Sequence, residues 1–178
     1  PYGLAQNATT LFWSDLQFGV IHAVGKDGSA PTVLAAGLSD PANVAVSQGK
    51  VYWADTTENT VGRVPIAGGA AEVVATGQDG AVGVAADEQS VYWTNYTSGS
   101  VMKIDAAGGA PTLLGWGDLP RTIVEHGDAV YWANDTGNGL RSVPKAGGPV
   151  VLTPVFARSV AVDDVNVYWS SVVVGDWN

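Results

Sequence analysis

The chain contains no cysteine. That excludes disulfides, thiolate metal sites and cysteine nucleophiles, but it does not fix a compartment, because a large core needs no covalent staples. Histidine occurs only as His22 and His126, so the commonest general base is scarce. Basic residues are also few: 8 Lys and Arg stand against 17 Asp and Glu, for a net charge of −9. Such an acidic chain lacks the basic footprint that displaces counterions from phosphate, which argues against a nucleic-acid partner. No apolar run reaches the ~18 residues of a membrane-spanning helix, so no membrane insertion is expected. Helical periodicity of useful length is missing too. The chain opens Pro1-Tyr2-Gly3, with neither an initiator methionine nor a signal peptide, and the expectation is a start set by processing or by a longer polypeptide.

Against these absences stands one repeated stretch. Leu11-Phe12-Trp13-Ser14-Asp15 recurs as Val51-Tyr52-Trp53-Ala54-Asp55, Val91-Tyr92-Trp93-Thr94-Asn95, Val130-Tyr131-Trp132-Ala133-Asn134 and Val167-Tyr168-Trp169-Ser170-Ser171. The tryptophans are separated by 40, 40, 39 and 37 residues. A fixed period of this length with strand-like content points to a β-propeller. The chain divides into units 1–40, 41–80, 81–119 and 120–157 and a partial unit 158–178, read as one propeller domain that is incomplete.

Each full unit has the same order. A short strand of small and apolar residues comes first: Gly3-Leu4-Ala5, Asn43-Val44-Ala45-Val46, Val82-Gly83-Val84-Ala85, Thr122-Ile123-Val124, and in the last unit Ser159-Val160-Ala161-Val162. Small side chains suit the crowded centre of a radial array. The aromatic strand follows, then a polar loop and an alternating third strand such as Val61-Gly62-Arg63-Val64 or Val101-Met102-Lys103-Ile104, half-buried by its period of two. A glycine turn such as Gly68-Gly69 leads to a fourth strand headed by proline at Pro31, Pro111 and Pro149, as an outer edge tolerates. Four hairpin-linked strands in ~40 residues describe one propeller blade. A helical repeat is the competing reading, and the 23 glycines and β-branched strands oppose it. Within the aromatic strand, Tyr and Trp must face opposite sides of the blade and fill the wedges against both neighbours. Trp13, Trp53, Trp93, Trp132 and Trp169 are therefore the structural repeat residues.

Tyr-Trp-Ala-Asp, Tyr-Trp-Thr-Asn and Tyr-Trp-Ala-Asn, with the upstream Val-Ala-Val strand and the downstream Gly-Gly turn, resemble the YWTD-repeat propellers of lipoprotein-receptor type and the related bacterial propellers of the same unit. The resemblance implies four-stranded blades around a central channel, six in the complete ring, with five as the alternative. It also implies an inter-blade bond made by the Asp of the motif. Asp stands here only at Asp15 and Asp55, with Asn95, Asn134 and Ser171 elsewhere, so that bonding is expected to be partial. The chain supplies about four and a half blades. The expectation is that it belongs to a longer polypeptide, or that it self-associates or takes a partner chain's strands to complete the ring.

Loops entering each inner strand and loops leaving each aromatic strand share one face, where recognition by variable loops is expected. The first set offers Asp40, Asp79, Asp118, Arg121 and Arg158. The second offers Asp15-Leu16-Gln17, Thr56-Thr57-Glu58-Asn59, Tyr96 and Asp135-Thr136-Gly137-Asn138. Trp116 lies just ahead of the third connecting loop. Tyr96, Trp116, Arg121, Asp40, Asp79, Asp118, Asp135 and Arg158 are the candidate ligand-binding residues. The plainer alternatives are that the loop Asp and Asn are turn formers, that the two arginines make inter-loop ion pairs, and that Trp116 packs beneath a loop. An exposed aromatic beside Asp or Asn suits a sugar face.

No Ser-centred nucleophile motif, phosphate-cradling glycine loop or His-pair zinc motif occurs. His22 falls on a third strand. Glu125, His126 and Asp128 crowd a turn on the opposite face, a spacing that seldom converges three ligands on one ion. Calcium held by loop carboxylates is the cofactor the composition leaves open. The sequence is thus read as a non-catalytic, secreted or cell-surface binding scaffold, lectin-like in that its loop face takes a protein or a glycan. The alternative is a metal-assisted lyase or lactonase of the six-bladed propeller kind. A histidine or carboxylate cluster at the top of the inner strands would separate the two, and that region offers Asp40, Asp79 and Asp118 without histidine.

Overall fold

A computed structural model describes residues 1–136 and 139–171. The described residues form an all-β array of antiparallel meanders, and they contain no helix. The first sheet is β1 (Leu4–Gln6), β2 (Thr10–Asp15), β3 (Val20–Gly25) and β4 (Thr32–Ala36). The second is β5 (Pro41–Ser47), β6 (Lys50–Asp55), β7 (Thr60–Pro65) and β8 (Glu72–Ala75). Then come β9 (Ala81–Ala86), β10 (Ser90–Asn95), β11 (Ser100–Asp105) and β12 (Thr112–Trp116), followed by β13 (Pro120–His126), β14 (Ala129–Asn134), β15 (Leu140–Pro144) and β16 (Val151–Thr153). A two-stranded sheet of β17 (Ser159–Val162) and β18 (Val167–Ser170) closes the described chain. Strand order in every sheet follows chain order. The protein therefore has the β-propeller fold, with about four and a half blades.

Successive first strands contact one another, β1 with β5, β5 with β9, β9 with β13 and β13 with β17, which makes them the inner strands around an axis. Backbones approach closely there. A Cβ on Gly3 would come within 2.7 Å of the Asn43 Cα, and one on Gly83 would overlap the Arg121 carbonyl and lie 2.7 Å from Thr94 Oγ1. That is the physical reason for the small residues at the centre. At the periphery the Gly68-Gly69 pair takes φ of 86° and 135°, a turn open to glycine. The prolines expected to head the outer strands sit just before them instead: Pro31, Pro111 and Pro149 precede β4, β12 and β16.

Four apolar clusters fill the wedges between blades. Tyr52 packs with Trp93 between the second and third blades, whereas Trp53 packs with Phe12 between the first and second. Tyr92 and Trp132 share the next wedge, and Ala133 and Leu140 meet Ala157 and Val160 in the last. Alternate aromatics of one strand thus serve opposite wedges, as pleating requires. Trp53, Trp93 and Trp132 are buried. Trp13 is half-buried and stacks on His22 with ring centroids 4.9 Å apart. Trp169 is 46% exposed, because among the described residues its sheet has no third or fourth strand to cover it.

Polar rungs tie blade to blade. Ser14 Oγ donates to the Ala42 carbonyl. Thr56 Oγ1 donates to Ala81 O at 2.8 Å, Thr94 Oγ1 to Arg121 O at 3.2 Å, and Thr122 Oγ1 to Arg158 O at 3.3 Å. The Asp or Asn two residues after each of the first four tryptophans anchors loops instead. Asp55 accepts from the N–H groups of Ser39, Asp40 and Glu58, and Asn134 Oδ1 accepts from Asp118 N. Asn95 inverts the polarity: its Nδ2 donates to Gln78 Oε1, which also takes the Trp93 indole N–H at 2.9 Å. Both asparagines thus hold their own blade's inbound loop, as Asp55 does, rather than making the inter-blade bond that the resemblance implies.

Candidate functional site

Pairing in each blade places Leu4, Val44, Val84, Ile123 and Val160 opposite the five tryptophans. These residues are equivalent, and so are those two positions ahead of them: Tyr2, Ala42, Val82, Arg121 and Arg158. Three positions after the tryptophans stand Leu16, Thr56, Tyr96 and Asp135. The two sets ring the axis where inner strands begin and aromatic strands end. A cavity of about 300 Å³ opens there. It is lined by Tyr2 and Leu16 of the first blade, Asp40, Ala42 and Thr56 of the second, Val82 and Tyr96 of the third, and Arg121 of the fourth. Behind it a second cavity of about 320 Å³ lies between the inner strands, against Leu4, Val44, Val84 and Ile123 among others. Both lie against the inner strands, and the first forms a mouth on the loop face.

One wall of the mouth is a charge network. Arg121 Nη1 meets Asp135 Oδ2 at 2.9 Å, and Arg158 Nε meets Asp135 Oδ1 at 2.6 Å. Tyr96 donates its phenol to Asp135 Oδ2 at 3.1 Å, and its ring lies under the Arg121 guanidinium, 5.8 Å from centroid to Cζ. Arg121 Nη2 donates to the Tyr2 phenol oxygen at 3.0 Å, joining the first blade to the fourth across the mouth. The hydrogen bond from Arg158, with further help from Tyr96 and both guanidinium charges, holds the Asp135 carboxyl below the usual range. Burial, and then the Asp135 bond, pushes the Tyr96 phenol up.

Asp40 also lines the cavity. Burial and the nearby Asp55 charge raise its carboxyl, and its buried Oδ1 accepts no hydrogen bond from the described residues. The apolar part of the lining is Leu16, Ala42 and Val82. The site thus combines cationic and phenolic donors with a carboxylate in one lining.

Of the eight candidates, the structure brings Tyr96, Arg121, Asp135 and Arg158 into one network and places Asp40 in the lining of the same cavity as Arg121. Asp79 is exposed and outside the cavity lining, and half-buried Asp118 is held through its backbone by Asn134. Trp116 is separated from the mouth. It ends β12, the outermost strand of its sheet, and is 55% exposed, with its carbonyl taken by Arg141. Gly137 and Asn138 lie outside the described residues. Tyr2 escaped the sequence reading; its signal is register, since it stands two places before Leu4 as Arg121 does before Ile123. On the opposite face Glu125 bonds Lys145, and His126 Nε2 meets Asp164 at 3.1 Å, so those side chains pair with neighbours rather than converging. Among the described residues no group of three His, Asp or Glu is arranged to hold a metal.

No known protein-family profile and no curated protein matches the chain. Solved structures do. A selenomethionine-substituted virginiamycin B lyase from Staphylococcus aureus aligns with TM-score 0.81 at 12% identity, covering 96% of this chain and 62% of that one. A nidogen/laminin complex aligns with TM-score 0.74 at 20% identity, covering 88% and 66%. A streptogramin B lyase aligns with TM-score 0.74 at 16% identity, covering 86% and 55%. The chain spans less than two thirds of the length of each, and at these identities the likeness is one of fold.

Proposed function

We propose that this chain is the greater part of a YWTD-class binding propeller, secreted or displayed at the cell surface, whose loop-face mouth takes a protein or glycan ligand without transforming it. The observation that carries the reading is the mouth itself. Four blades contribute one concave surface from variable positions of an otherwise regular repeat, and that surface mixes apolar residues, phenols, a guanidinium and a carboxylate. This is the composition of recognition sites, apolar with a few placed polar groups. A protein-binding role is in keeping with the nidogen/laminin neighbour.

The second reading, a metal-assisted lyase or lactonase, draws on the lyase neighbours. Against it, neither histidine of the chain lines the mouth: His22 stacks on Trp13, and His126 is on the far face. The test is a screen of glycans and extended peptides against the wild type, Leu16→Trp to plug the mouth, and Trp116→Ser as a control on the same face. The binding reading expects a captured ligand that Leu16→Trp loses by about tenfold or more, a change of about 1.4 kcal/mol, and that Trp116→Ser keeps. Divalent-metal-dependent consumption of that ligand, abolished by Leu16→Trp, would overturn it in favour of the lyase.

A further inference from the structure

The mouth network has an uneven charge. Arg121 and Arg158 are two of only 8 basic residues in a chain of net charge −9, yet both ion pairs go to one carboxylate, Asp135. The three groups together carry one net positive charge. Arg121 spends one edge of its fork on Asp135 and turns the other, Nη2, to the neutral phenol of Tyr2. A neutral phenol oxygen is a weaker acceptor for a guanidinium than a carboxylate, which adds a charge of its own to the bond. Tyr2 is 49% exposed at the rim of the cavity, so its ring can leave Nη2 without opening an apolar core.

We propose that the mouth is a binding site for a small carboxylate that displaces the Tyr2 phenol from Arg121, with hydrogen-bond donors at its far end directed to Asp40. This rests on the binding reading above and names the chemistry of its ligand. The cavity, at about 300 Å³, is of a size for one sugar ring or one amino acid. Its two charged groups come from different parts of the array, Arg121 from β13 and Asp40 from the connection into β5, so a ligand that meets both bridges non-adjacent strands. Leu16, Ala42 and Val82 face its apolar side. A single negative charge matches the one positive charge of the arginine network. A dianion such as phosphate would add an excess charge beside Asp40 and Asp135, at a cost in this partly enclosed site.

Two sources share this chemistry, a uronic acid with hydroxyl donors and an α-amino acid with an ammonium. Calorimetric titration with sodium D-glucuronate, D-glucose, L-leucine and L-leucinamide separates them. One carboxylate binds, and its neutral-ended counterpart binds about tenfold more weakly. Tyr2→Phe, which removes the competing oxygen, tightens the carboxylate about threefold, and Arg121→Gln weakens it about tenfold with a cooperative melting transition retained. Asp40→Asn weakens leucine strongly and glucuronate mildly, which identifies the source. Equal binding of glucose and glucuronate, no binding of either carboxylate, or a Tyr2→Phe variant that binds more weakly than wild type would overturn the inference. A neutral oligosaccharide captured by the wild type and lost in Leu16→Trp would leave the binding reading standing while this inference fell.

Discussion

Replacing Trp93 by alanine tests the wedge packing at its most enclosed point. The indole is fully buried between the second and third blades, against Tyr52, Val61, Ala81 and Ile104 among others, and its N–H is held by Gln78. Truncation opens a cavity walled by two blades that the chain ties together covalently and through Thr56, so it can collapse little. The expected cost is about 3–5 kcal/mol, that of a large core aromatic. Gln78 Oε1 keeps its bond to Asn95, so no additional unpaired acceptor is created. For a domain of this size that corresponds to a fall in melting temperature of roughly 6–20 °C. Trp169→Ala supplies the internal comparison. Its ring is about half exposed, so its loss is expected to cost roughly 1–2 kcal/mol. Urea denaturation of both variants, with the slope required to match wild type, gives the two numbers. A Trp93→Ala cost equal to or below that of Trp169→Ala would refute the wedge assignment.

Thr94→Val removes the hydroxyl that links Gly83 N to Arg121 O, leaving the buried Gly83 N–H without this partner and the part-buried Arg121 carbonyl without this donor, and is expected to destabilise by about 1–3 kcal/mol in urea titration. Lys145→Met removes the cation that Asp87 and Glu125 share, leaving two nearby carboxylates, of which Asp87 keeps the Tyr92 hydroxyl. The expected loss, discounted for partial exposure, is about 2 kcal/mol, and adding Glu125→Gln should restore part of it in a double-mutant cycle. Asp135 has a folded pKa below its ordinary value, so its stabilisation is present above the ordinary carboxylate range and is lost as pH falls through the folded value. Asp135→Asn should therefore melt below wild type at neutral pH, and the gap should close in acid below pH 3.8, the ordinary value.

The repeat made the architecture legible. Five Tyr-Trp or Phe-Trp pairs at an even interval located every aromatic strand, and pleating alone assigned Tyr52 and Trp53 to different wedges. The loop face was legible as well, because Arg121, Tyr96 and Asp135 stand at the ends of the strands that the repeat defines. What escaped is what depends on radial position. Trp116 and Arg121 are close in sequence and on one face, but β12 is the outermost strand and β13 the innermost, so they lie on opposite margins of the array. Convergence of Arg121 and Arg158 on Asp135 depends on blade curvature, which a one-dimensional period does not encode. The hydroxyl rungs of Ser14, Thr56 and Thr94 were hidden for another reason: they occupy two different offsets from the tryptophan, and only the close approach of inner strands turns them toward a neighbouring carbonyl.

The account stands on the first and fourth blades facing one another across a single mouth, and cross-linking tests that directly. Because the chain has no cysteine, Tyr2→Cys with Arg121→Cys gives one defined thiol pair for a short bis-maleimide. The same reagent on Tyr2→Cys with Asp128→Cys, whose second site is on the far face, is the control. An intramolecular cross-link formed rapidly by the first pair and not by the second, at protein concentrations too low for intermolecular reaction, is the predicted result. Absence of an intramolecular product from the first pair, or equal yields from both, would contradict it.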